Sequence, residues 1–191
     1  MINKNIDFYI KNYNGVIDET ICNQTIKELS LQNNEFKQHQ FYDEINKVHK
    51  TLSGNQELDT INYIPTTYKI FMDTIFESLK KYMKHIDLPY FNGWSGYSQI
   101  RWNRYKEDRK MAEHCDHIQS LFDGDRKGVP TLSCLGCLND DYEGGDLVFF
   151  GDKIVEFKRG DLLIFPSNFL YPHRVEPVKS GVRWSYISWV W

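Results

Sequence analysis

The sequence predicts an α+β, mainly β, protein in which a jelly roll of antiparallel strands is flanked by N-terminal helices. Helical periodicity is confined to the N-terminal half, whereas from residue 97 onward short strand-like segments alternate with turn residues about every ten positions. Aromatic residues make up 15% of the chain, as is typical of β-rich cores and aromatic-lined cavities. Helices segregated from strands in this way favour a jelly roll over an alternating parallel fold.

Two helices are expected before residue 97. Asp18–Leu29 carries apolar residues on one helical face, and its first residue is a suitable N-cap. Thr66–Tyr82 keeps the three-and-four apolar spacing of an amphipathic helix, with Thr66 or Thr67 as its cap. The polar, weakly patterned stretch Gln32–Asn62 is expected to hold loops and short pieces of structure.

Eight strands are expected in the C-terminal half, separated by turns rich in glycine, aspartate and asparagine. They are Tyr97–Tyr105, Ala112–His117, Val129–Asn139, Leu147–Phe150, Lys153–Phe157, Asp161–Phe165, His173–Pro177 and Val182–Val190. No linker, repeat or low-complexity segment divides the chain. Residues 1–191 are therefore expected to form one domain, with 1–95 as a helical support region and 96–191 as the jelly-roll core.

The charge balance and the hydropathy narrow the classes of partner. A net charge of -3 and a pI of about 6.1 give no electrostatic reason to expect nucleic acid or an anionic membrane surface. No stretch approaches the ~18 apolar residues of a membrane span, and the first residues lack a signal-peptide core. Four cysteines are too few for a disulfide framework. A cytoplasmic protein with free thiols and no membrane partner is expected.

The second predicted strand and a later one carry residues of metal-ligand type. In His114-Cys115-Asp116, alternate side chains of a strand share a face, so an imidazole and a carboxylate point to a common place. His173 opens a later strand and is the best candidate for a second imidazole. Two histidines and one carboxylate form the facial triad that leaves coordination positions open on iron(II). An H-x-D pair alone is weak evidence, because a lone histidine is more often a surface or core residue than a ligand.

A candidate anion-binding pair follows His173. Arg183 and Ser185 share a face of the last predicted strand, and a guanidinium can bind a carboxylate through two parallel hydrogen bonds. Together they could hold the distal carboxylate of a dicarboxylic acid whose other end chelates the metal. Alone, Arg183 would more simply be an exposed arginine on an edge strand, but its spacing from His173 favours the site. Tyr105 lies on a polar strand face that is either solvated or lines a cavity, and the cavity is favoured.

Several motifs occur in a fixed order along the C-terminal half. They are Tyr105, His114-Cys115-Asp116, Leu138-Asn139, Glu143-Gly144-Gly145-Asp146, Gly160-Asp161-Leu162-Leu163-Ile164-Phe165-Pro166, His173-Arg174-Val175-x-Pro177-Val178 and Gly181-x-Arg183-x-Ser185. Together they resemble the 2-oxoglutarate/iron(II) oxygenase domain of the prolyl 4-hydroxylase type, especially the small stand-alone forms in bacteria and their viruses. The resemblance covers roughly Gln99–Trp191, about half of the chain.

The resemblance implies a double-stranded β-helix with His114, Asp116 and His173 as the iron(II) ligands. It implies that Arg183 pairs with the distal carboxylate of the co-substrate 2-oxoglutarate and that Tyr105 hydrogen-bonds the same molecule. The expected activity is an O2-dependent dioxygenase reaction that hydroxylates an unactivated C–H bond and releases succinate and CO2. Ascorbate is an optional reductant, and peptidyl proline is one candidate target.

Three residues within the resembling segment bear on the expected reaction and on the co-substrate contacts. A carboxylate at Asp116 argues for hydroxylation, because a halogenase of this type needs that coordination position for halide. Met111 and Leu147 stand where tyrosine and threonine are common in the family. The finer co-substrate contacts and the substrate pocket are therefore open to variation.

Rival interpretations stay open at this point. Cys134 and Cys137, with a neighbouring histidine or Cys115, could suggest zinc, but residues three apart in a strand face opposite sides. A jelly-roll metal-binding or peptide-binding module without turnover would be expected to lack a ligand, and none is missing. Exposed-looking aromatics such as Trp94 could bind a partner or pack under the helices.

The substrate is the least determined feature. A protein or peptide side chain, a free amino acid or another small molecule fits the sequence equally well. Nucleic-acid dealkylation is a minor alternative, because such oxygenases typically carry a second arginine beyond the position of Arg183, and this chain has none there. The segment from His117 to Val129 is expected to be a lid or substrate loop, or else an ordinary surface excursion.

Overall fold

The computed structural model describes residues 5–43, 46, 48–51, 56–87, 96–116 and 130–191. Its helical segments are two 3-10 helices, Ile6–Tyr9 and Asn33–Glu35, and two α-helices, α1 (Glu19–Leu31) and α2 (Tyr68–Ile86). The strands are β1 (Lys11–Tyr13), β2 (Lys37–Gln38), β3 (Phe41–Asp43), β4 (Val48–Lys50), β5 (Asp59–Ile61), β6 (Arg101–Tyr105), β7 (Met111–His114), β8 (Leu132–Cys137), β9 (Glu143–Gly144), β10 (Leu147–Phe149), β11 (Lys153–Val155), β12 (Leu162–Pro166), β13 (His173–Val175), β14 (Val178–Ser180) and β15 (Arg183–Val190).

Two antiparallel sheets form the body of the fold. The larger has seven strands in the order β1-β12-β8-β15-β6-β5-β2, and the smaller has four in the order β11-β10-β13-β7. Two short pairs, β14-β9 and β3-β4, accompany them. This mainly β architecture with two α-helices confirms the predicted class, and from β6 onward the chain passes repeatedly between the two sheets, as in a double-stranded β-helix.

All eight predicted strands are present, although their ends differ from the expectation. The first is shorter, because the chain joins the sheet only at Arg101 and meets Val190 through a single bridge at Tyr97. The predicted ends at His117 and Val129 lie outside the described residues. β9 and β14 are additional strands, and their two or three residues are too few to show an alternating pattern in the sequence.

Both predicted helices are present, and α1 begins as expected. The Asp18 side chain accepts a hydrogen bond from the Thr20 amide, 2.7 Å, which satisfies one of the unpaired N–H groups of the first turn. Thr67 occupies the cap position of α2 but makes no capping hydrogen bond. Its buried hydroxyl instead pairs with that of Thr25 in α1, 2.6 Å away, so this threonine joins the two helices.

The region before residue 96 contributes strands as well as helices. β1 pairs with β12, and β5 pairs with β6, so the N-terminal segments extend the larger sheet at both edges. The buried Asp161 carboxylate anchors this region, because it accepts hydrogen bonds from the Asn12 side chain, 2.9 Å, and the Gly15 amide, 2.9 Å. Three-residue strands held by such distant partners leave no periodic signal in the sequence, which indicated only helices and loops here.

The larger sheet separates two apolar layers. The layer facing α1 and α2 contains Phe71, Ile75, Leu79, Trp102, Cys134, Ile164, Trp184 and Tyr186. The layer between the two sheets contains Tyr105, Leu135, Leu147, Phe149, Leu163, Phe165, Val175 and Ile187. Because side chains of a strand alternate between faces, Asn103, Ser133, Arg183 and Ser185 also point into the space between the sheets. Among the described residues, neither α-helix is long and apolar enough to cross a bilayer.

Position 136 must be glycine, because the ring of Tyr186 lies directly over it and leaves no room for a side chain. The two residues face each other across β8 and β15, and a Cβ at position 136 would overlap this fully buried ring. Phe71 and Trp102 hold the ring from the other side at centroid distances of 4.8 and 5.7 Å. We expect Gly136→Ala to lower the free energy of unfolding by about 1–3 kcal/mol, the usual penalty for overpacking, as measured by urea denaturation.

A double-mutant cycle isolates this contact. If the clash with the ring is the cause, Gly136→Ala should destabilise a Tyr186→Ala background much less than the wild type. An equal loss of stability in both backgrounds would contradict the explanation.

Candidate active site

Two histidines face each other across a pair of strands in the smaller sheet. His114 ends β7 and His173 begins β13, and the two residues are direct partners in the antiparallel register. Their rings are 4.4 Å apart between centroids. Phe149 stacks against His173 at 5.2 Å, and Phe165 meets the same ring edge-on at 5.0 Å. Strand pairing and aromatic packing therefore fix the positions of both imidazoles.

Asp116 completes the cluster two residues beyond the end of β7. Its carboxylate oxygens lie 3.4 Å from His114 Nε2 and 3.9 Å from His173 Nε2. The three ligand-type atoms are all within 4.8 Å of one another, so one ion can contact all of them. In the part of the chain that the structure describes, this is the only group of three or more His, Cys, Asp or Glu side chains with such spacing.

The second nitrogen of each imidazole is occupied by the backbone. His114 Nδ1 lies 2.8 Å from the Ala112 carbonyl oxygen, and His173 Nδ1 lies 3.1 Å from that of Tyr171. A carbonyl can only accept, so Nδ1 carries the proton in both rings and Nε2 keeps its lone pair. Both Nε2 atoms therefore have a lone pair free to bind a metal ion, the arrangement that is typical of metal-bound histidines.

A serine pair orients the carboxylate. The buried Ser133 hydroxyl donates to Asp116 Oδ2, 2.7 Å, and Ser167 in turn donates to Ser133, 2.7 Å. Burial alone would raise the pKa of Asp116, but its proximity to His114 and His173 and the hydrogen bond from Ser133 hold that pKa well below its usual range. Burial, with the charge of His114, lowers the pKa of His173 to about 4. An ionised carboxylate beside a neutral imidazole is the state that binds a divalent metal.

These residues fit iron(II). One carboxylate and two imidazoles are the donor set of the facial triad, and a mixed O,N set of this size leaves open positions for further ligands. The three donors are largely shielded from solvent, with 9% exposure for Asp116 and 3% for His173. A closed zinc site would need a fourth side-chain ligand, and the cluster includes none among the described residues.

Ser133→Ala is expected to weaken iron(II) binding about 10-fold, because loss of a group that orients a metal ligand typically costs 10- to 100-fold. The dissociation constant for iron(II), measured anaerobically, checks this. Ser188→Ala is the matched control: Ser188 is equally buried but faces the helices and donates to the Ser98 carbonyl, 2.8 Å. Equal effects of the two substitutions would contradict the role of Ser133.

Arg183 lies on the same inner face of the larger sheet. It is 1% exposed, and its guanidinium lies over the Tyr105 ring, 4.9 Å from the centroid. It donates to the Ser185 hydroxyl, 3.3 Å, while its buried Nε has no hydrogen-bond partner within the described residues. The structure thus brings together the three residues that the sequence assigned to the co-substrate. The arginine is buried rather than exposed on an edge strand, because β15 lies between β6 and β8.

Tyr105 is buried beside Arg183 on the inner face of the larger sheet, with 3% of its surface exposed. Burial raises the pKa of Tyr105, and the charges of Arg183 and Arg101 lower it. The strand face that carries Tyr105 is therefore buried between the sheets and not solvated at this position.

Some residues at this site were not identified from the sequence. Burial raises the pKa of Tyr142 to about 12, so its phenol stays neutral, and its oxygen accepts a hydrogen bond from the Arg183 guanidinium. Tyr142 lies in the turn before β9, where nothing in the sequence distinguishes it from a surface residue. Ser133 did have a signal, because it alternates with Leu135 on the inner face of β8.

An N-terminal segment forms one wall of the cluster. The Phe41 ring meets His114 at 5.8 Å between centroids, and His39 meets Phe41 at 4.8 Å. Burial and the charges of Arg101 and His114 lower the pKa of His39 to about 3. A segment expected to hold loops and short pieces therefore reaches the histidine–aspartate cluster.

The cysteines face opposite sides of their strand, as expected. Cys134 lies in the layer beneath the helices, and Cys137 faces the other way, with its thiol 3.1 Å from the Asn139 carbonyl. Both are buried free thiols. The expected lid at 117–129 and Trp94 lie outside the described residues. Met111 and Leu147, the two departures from the family pattern, are buried in the layer between the sheets.

Comparison with known proteins agrees with this geometry. Residues 100–191 match the sequence model of the 2OG-Fe(II) oxygenase superfamily. A PKHD-type hydroxylase of Aliarcobacter butzleri is 36% identical over 114 residues, which cover 56% of this chain and 44% of that protein. A PKHD-type hydroxylase of Idiomarina loihiensis is 35% identical over 96 residues, covering 49% and 42%. The aligned part is thus less than half the length of these curated relatives.

Solved structures show the same fold at low identity. The viral collagen prolyl hydroxylase of Paramecium bursaria Chlorella virus-1 aligns with a TM-score of 0.67 and 15% identity, over 95% of this chain and 94% of that one. A Pseudomonas putida prolyl-4-hydroxylase aligns with a TM-score of 0.67 and 17% identity, over 95% and 91%. Residues 100–191 thus match the 2OG-Fe(II) oxygenase superfamily in sequence, and the chain has the fold of these solved structures, the double-stranded β-helix.

Proposed function

We propose that the protein is a 2-oxoglutarate-dependent iron(II) dioxygenase that hydroxylates an unactivated C–H bond of its substrate. The observation that carries this proposal is the buried cluster of His114, Asp116 and His173, in which both Nε2 atoms and the carboxylate converge on one point. We assign these three side chains as the iron ligands. All members of the triad are present, which argues against a binding module that has lost turnover.

The chain's own residues hold and orient what the reaction needs. When bound, iron(II) and 2-oxoglutarate supply the oxidising chemistry, which consumes O2, releases succinate and CO2 and leaves a hydroxyl on the substrate. The backbone carbonyls behind the two histidines fix the ring orientation, and Ser133 fixes the carboxylate. The aromatic rings around His173 exclude water from one side of the cluster.

We assign Arg183 as the partner of the distal carboxylate of 2-oxoglutarate. It is charged, buried and lacks a carboxylate partner among the described residues, so a bound dicarboxylic acid would compensate its desolvated charge. Tyr105 and Ser185 flank it and supply hydroxyls for the same carboxylate. Both flanking residues lie on interior strands of the larger sheet, which fixes their backbone positions.

The substrate is proposed to be a protein, a peptide or a small molecule such as a free amino acid, with peptidyl proline as one candidate. The similar structures from the Chlorella virus, Pseudomonas putida and Trichoplax adhaerens are all described as prolyl hydroxylases, and the last was solved with a peptide fragment. Ascorbate is proposed only as a supporting reductant. The absence of arginine after Arg183 argues against nucleic acid as a substrate. The N-terminal strands in the larger sheet support residues 1–191 as one domain, and a cytoplasmic location stays a prediction.

Succinate formation tests the proposed activity. Purified protein with iron(II), 2-oxoglutarate and O2 is expected to release succinate slowly, because enzymes of this chemistry turn over without substrate at a low rate, and faster when a substrate is added. The control is the Asp116→Ala variant under the same conditions. Succinate release that is equal in the wild type and in this variant would contradict the proposal.

A further inference from the structure

Arg101 is a second arginine in the space between the sheets, and neither the metal cluster nor the co-substrate pair accounts for it. It opens β6 and points to the same inner face as Asn103 and Tyr105. It is only partly exposed, and no carboxylate within the described residues forms an ion pair with it. Its one hydrogen bond to another side chain in that part of the protein is from Nε to Asn103 Oδ1, 3.2 Å.

Contacts place Arg101 at the metal end of the site. Its guanidinium lies over the indole of Trp189, 4.9 Å from the ring centroid. Trp189 is the direct cross-strand partner of Ser133, whose hydroxyl binds Asp116. Opposite residues on one face of an antiparallel pair have their Cβ atoms about 5 Å apart. These contacts link the guanidinium to Asp116, a proposed iron ligand, through one indole and one serine.

The same register keeps Arg101 away from the co-substrate arginine. Arg183 is the partner of Tyr105, whereas Arg101 is the partner of Ile187, four residues further along β15. Four residues of a strand span about 13 Å. The guanidiniums of Arg101 and Arg183 therefore lie at opposite ends of the inner face. Arg101 is placed to contact a molecule other than the co-substrate that we assign to Arg183.

Apart from Asn103 Oδ1, no side-chain acceptor among the described residues hydrogen-bonds Arg101. The indole N–H of Trp189 is buried and has no hydrogen-bond partner in the described part of the protein. A guanidinium and an indole are both donors without acceptor capacity. A ligand that supplies only acceptor oxygens and a negative charge would satisfy both, and a carboxylate is the common group of this kind.

We propose that Arg101 binds a carboxylate of the primary substrate and thereby selects acidic substrates. The carboxylate has three sources that share this chemistry: a free amino acid, the C-terminus of a peptide, or an acidic side chain beside the target carbon. Arg101 is in this view a specificity-determining residue next to the reacting position. The inference rests on the proposed function, since it assigns the substrate class of that same site.

Three matched pairs of compounds distinguish the sources. They are L-proline and L-prolinamide, the peptide Ala-Pro-Gly as acid and as carboxamide, and blocked Glu-Pro and Gln-Pro dipeptide amides. Each is titrated calorimetrically, under nitrogen, into the full chain loaded with iron(II) and 2-oxoglutarate. We expect the acid of at least one pair to bind about 10- to 100-fold more tightly than its neutral counterpart, the usual value of a charge-assisted hydrogen bond.

Variants assign the preference to Arg101. In Arg101→Gln the acid is expected to lose this advantage, while Arg101→Lys, which keeps the charge without the planar fork, should retain part of it. Arg101→Lys also covers the case in which Arg101→Gln fails to fold. Absence of an acid preference in all three wild-type pairs, or its persistence in Arg101→Gln, would overturn the inference.

The same samples separate this inference from the function on which it rests. Binding of 2-oxoglutarate is measured first, and Arg101→Gln should bind it as tightly as the wild type does. Wild-type protein that binds 2-oxoglutarate but shows no acid preference would refute the role of Arg101 alone. Wild-type protein that fails to bind 2-oxoglutarate would refute the proposed function and this inference with it.

Discussion

His173→Gln is expected to lower the rate of succinate formation by more than about 100-fold. Loss of a residue that only orients a metal ligand already costs up to about 100-fold, and loss of a ligand itself should cost more. His173 supplies one of two imidazoles, and its partner His114 and the carboxylate of Asp116 are too few to hold iron(II) in a facial site. Glutamine preserves most of the side-chain volume among Phe149 and Phe165, so the fold should survive.

Metal-induced stabilisation gives a readout that does not depend on turnover. A metal that binds only the folded state stabilises it by about 2.7 kcal/mol at 100 times its dissociation constant. We expect iron(II) under nitrogen to raise the unfolding temperature of the wild type and to leave that of His173→Gln unchanged. His85→Ala, which changes a histidine in the last turn of α2, is the matched control and should behave as wild type. An equal metal response in His173→Gln would exclude His173 as a ligand.

Arg183→Met is the second substitution with a large expected effect. It is expected to raise the KM for 2-oxoglutarate about 30-fold or more, since loss of one partner of a buried charge pair costs about 2–5 kcal/mol. The affinity for iron(II) should change little, because Arg183 touches Tyr105 and Ser185 rather than the metal cluster. Separate titrations of metal and co-substrate check the two parts of this prediction.

Arg183→Lys and a surface arginine serve as comparisons. Lysine keeps the charge but cannot form two parallel hydrogen bonds with a carboxylate, so an intermediate KM is expected. Arg159→Met removes an arginine that pairs with Glu19 and Asp140 on the outside of the fold, and it should leave the KM unchanged. A KM in Arg183→Met equal to that of the wild type would show that another residue binds the co-substrate.

Local patterns in the sequence were sufficient to predict the cluster of His114, Asp116 and His173. His114 and Asp116 are two residues apart in an extended segment, which fixes their common face without knowledge of the fold. His173 could be predicted only because it opens a separate strand with the correct neighbours. The pairing of β7 with β13 then confirms that the two histidines are adjacent.

The rest of the site depends on contacts that no local pattern encodes. Ser133 lies on β8 of the larger sheet, yet it donates a hydrogen bond to Asp116, which follows β7 of the smaller sheet. Tyr142 contacts Arg183 from the turn before β9. His39 and Phe41 come from a polar region with no periodicity, and they meet the cluster because β2 joins the sheet edge through β5. Long-range pairing of strands as short as two residues determines these positions, and the sequence of such a strand carries too few residues to show it.

Iron(II) and 2-oxoglutarate are expected to bind together at the cluster of His114, Asp116 and His173. The most direct test is an anaerobic titration of the metal-free protein with both, monitored by the visible charge-transfer absorption of an iron(II)–2-oxoglutarate complex. We expect a band that is absent in Asp116→Ala and weaker in Arg183→Met. A folded wild-type protein that shows no band, or a band of equal strength in Asp116→Ala, would contradict the account.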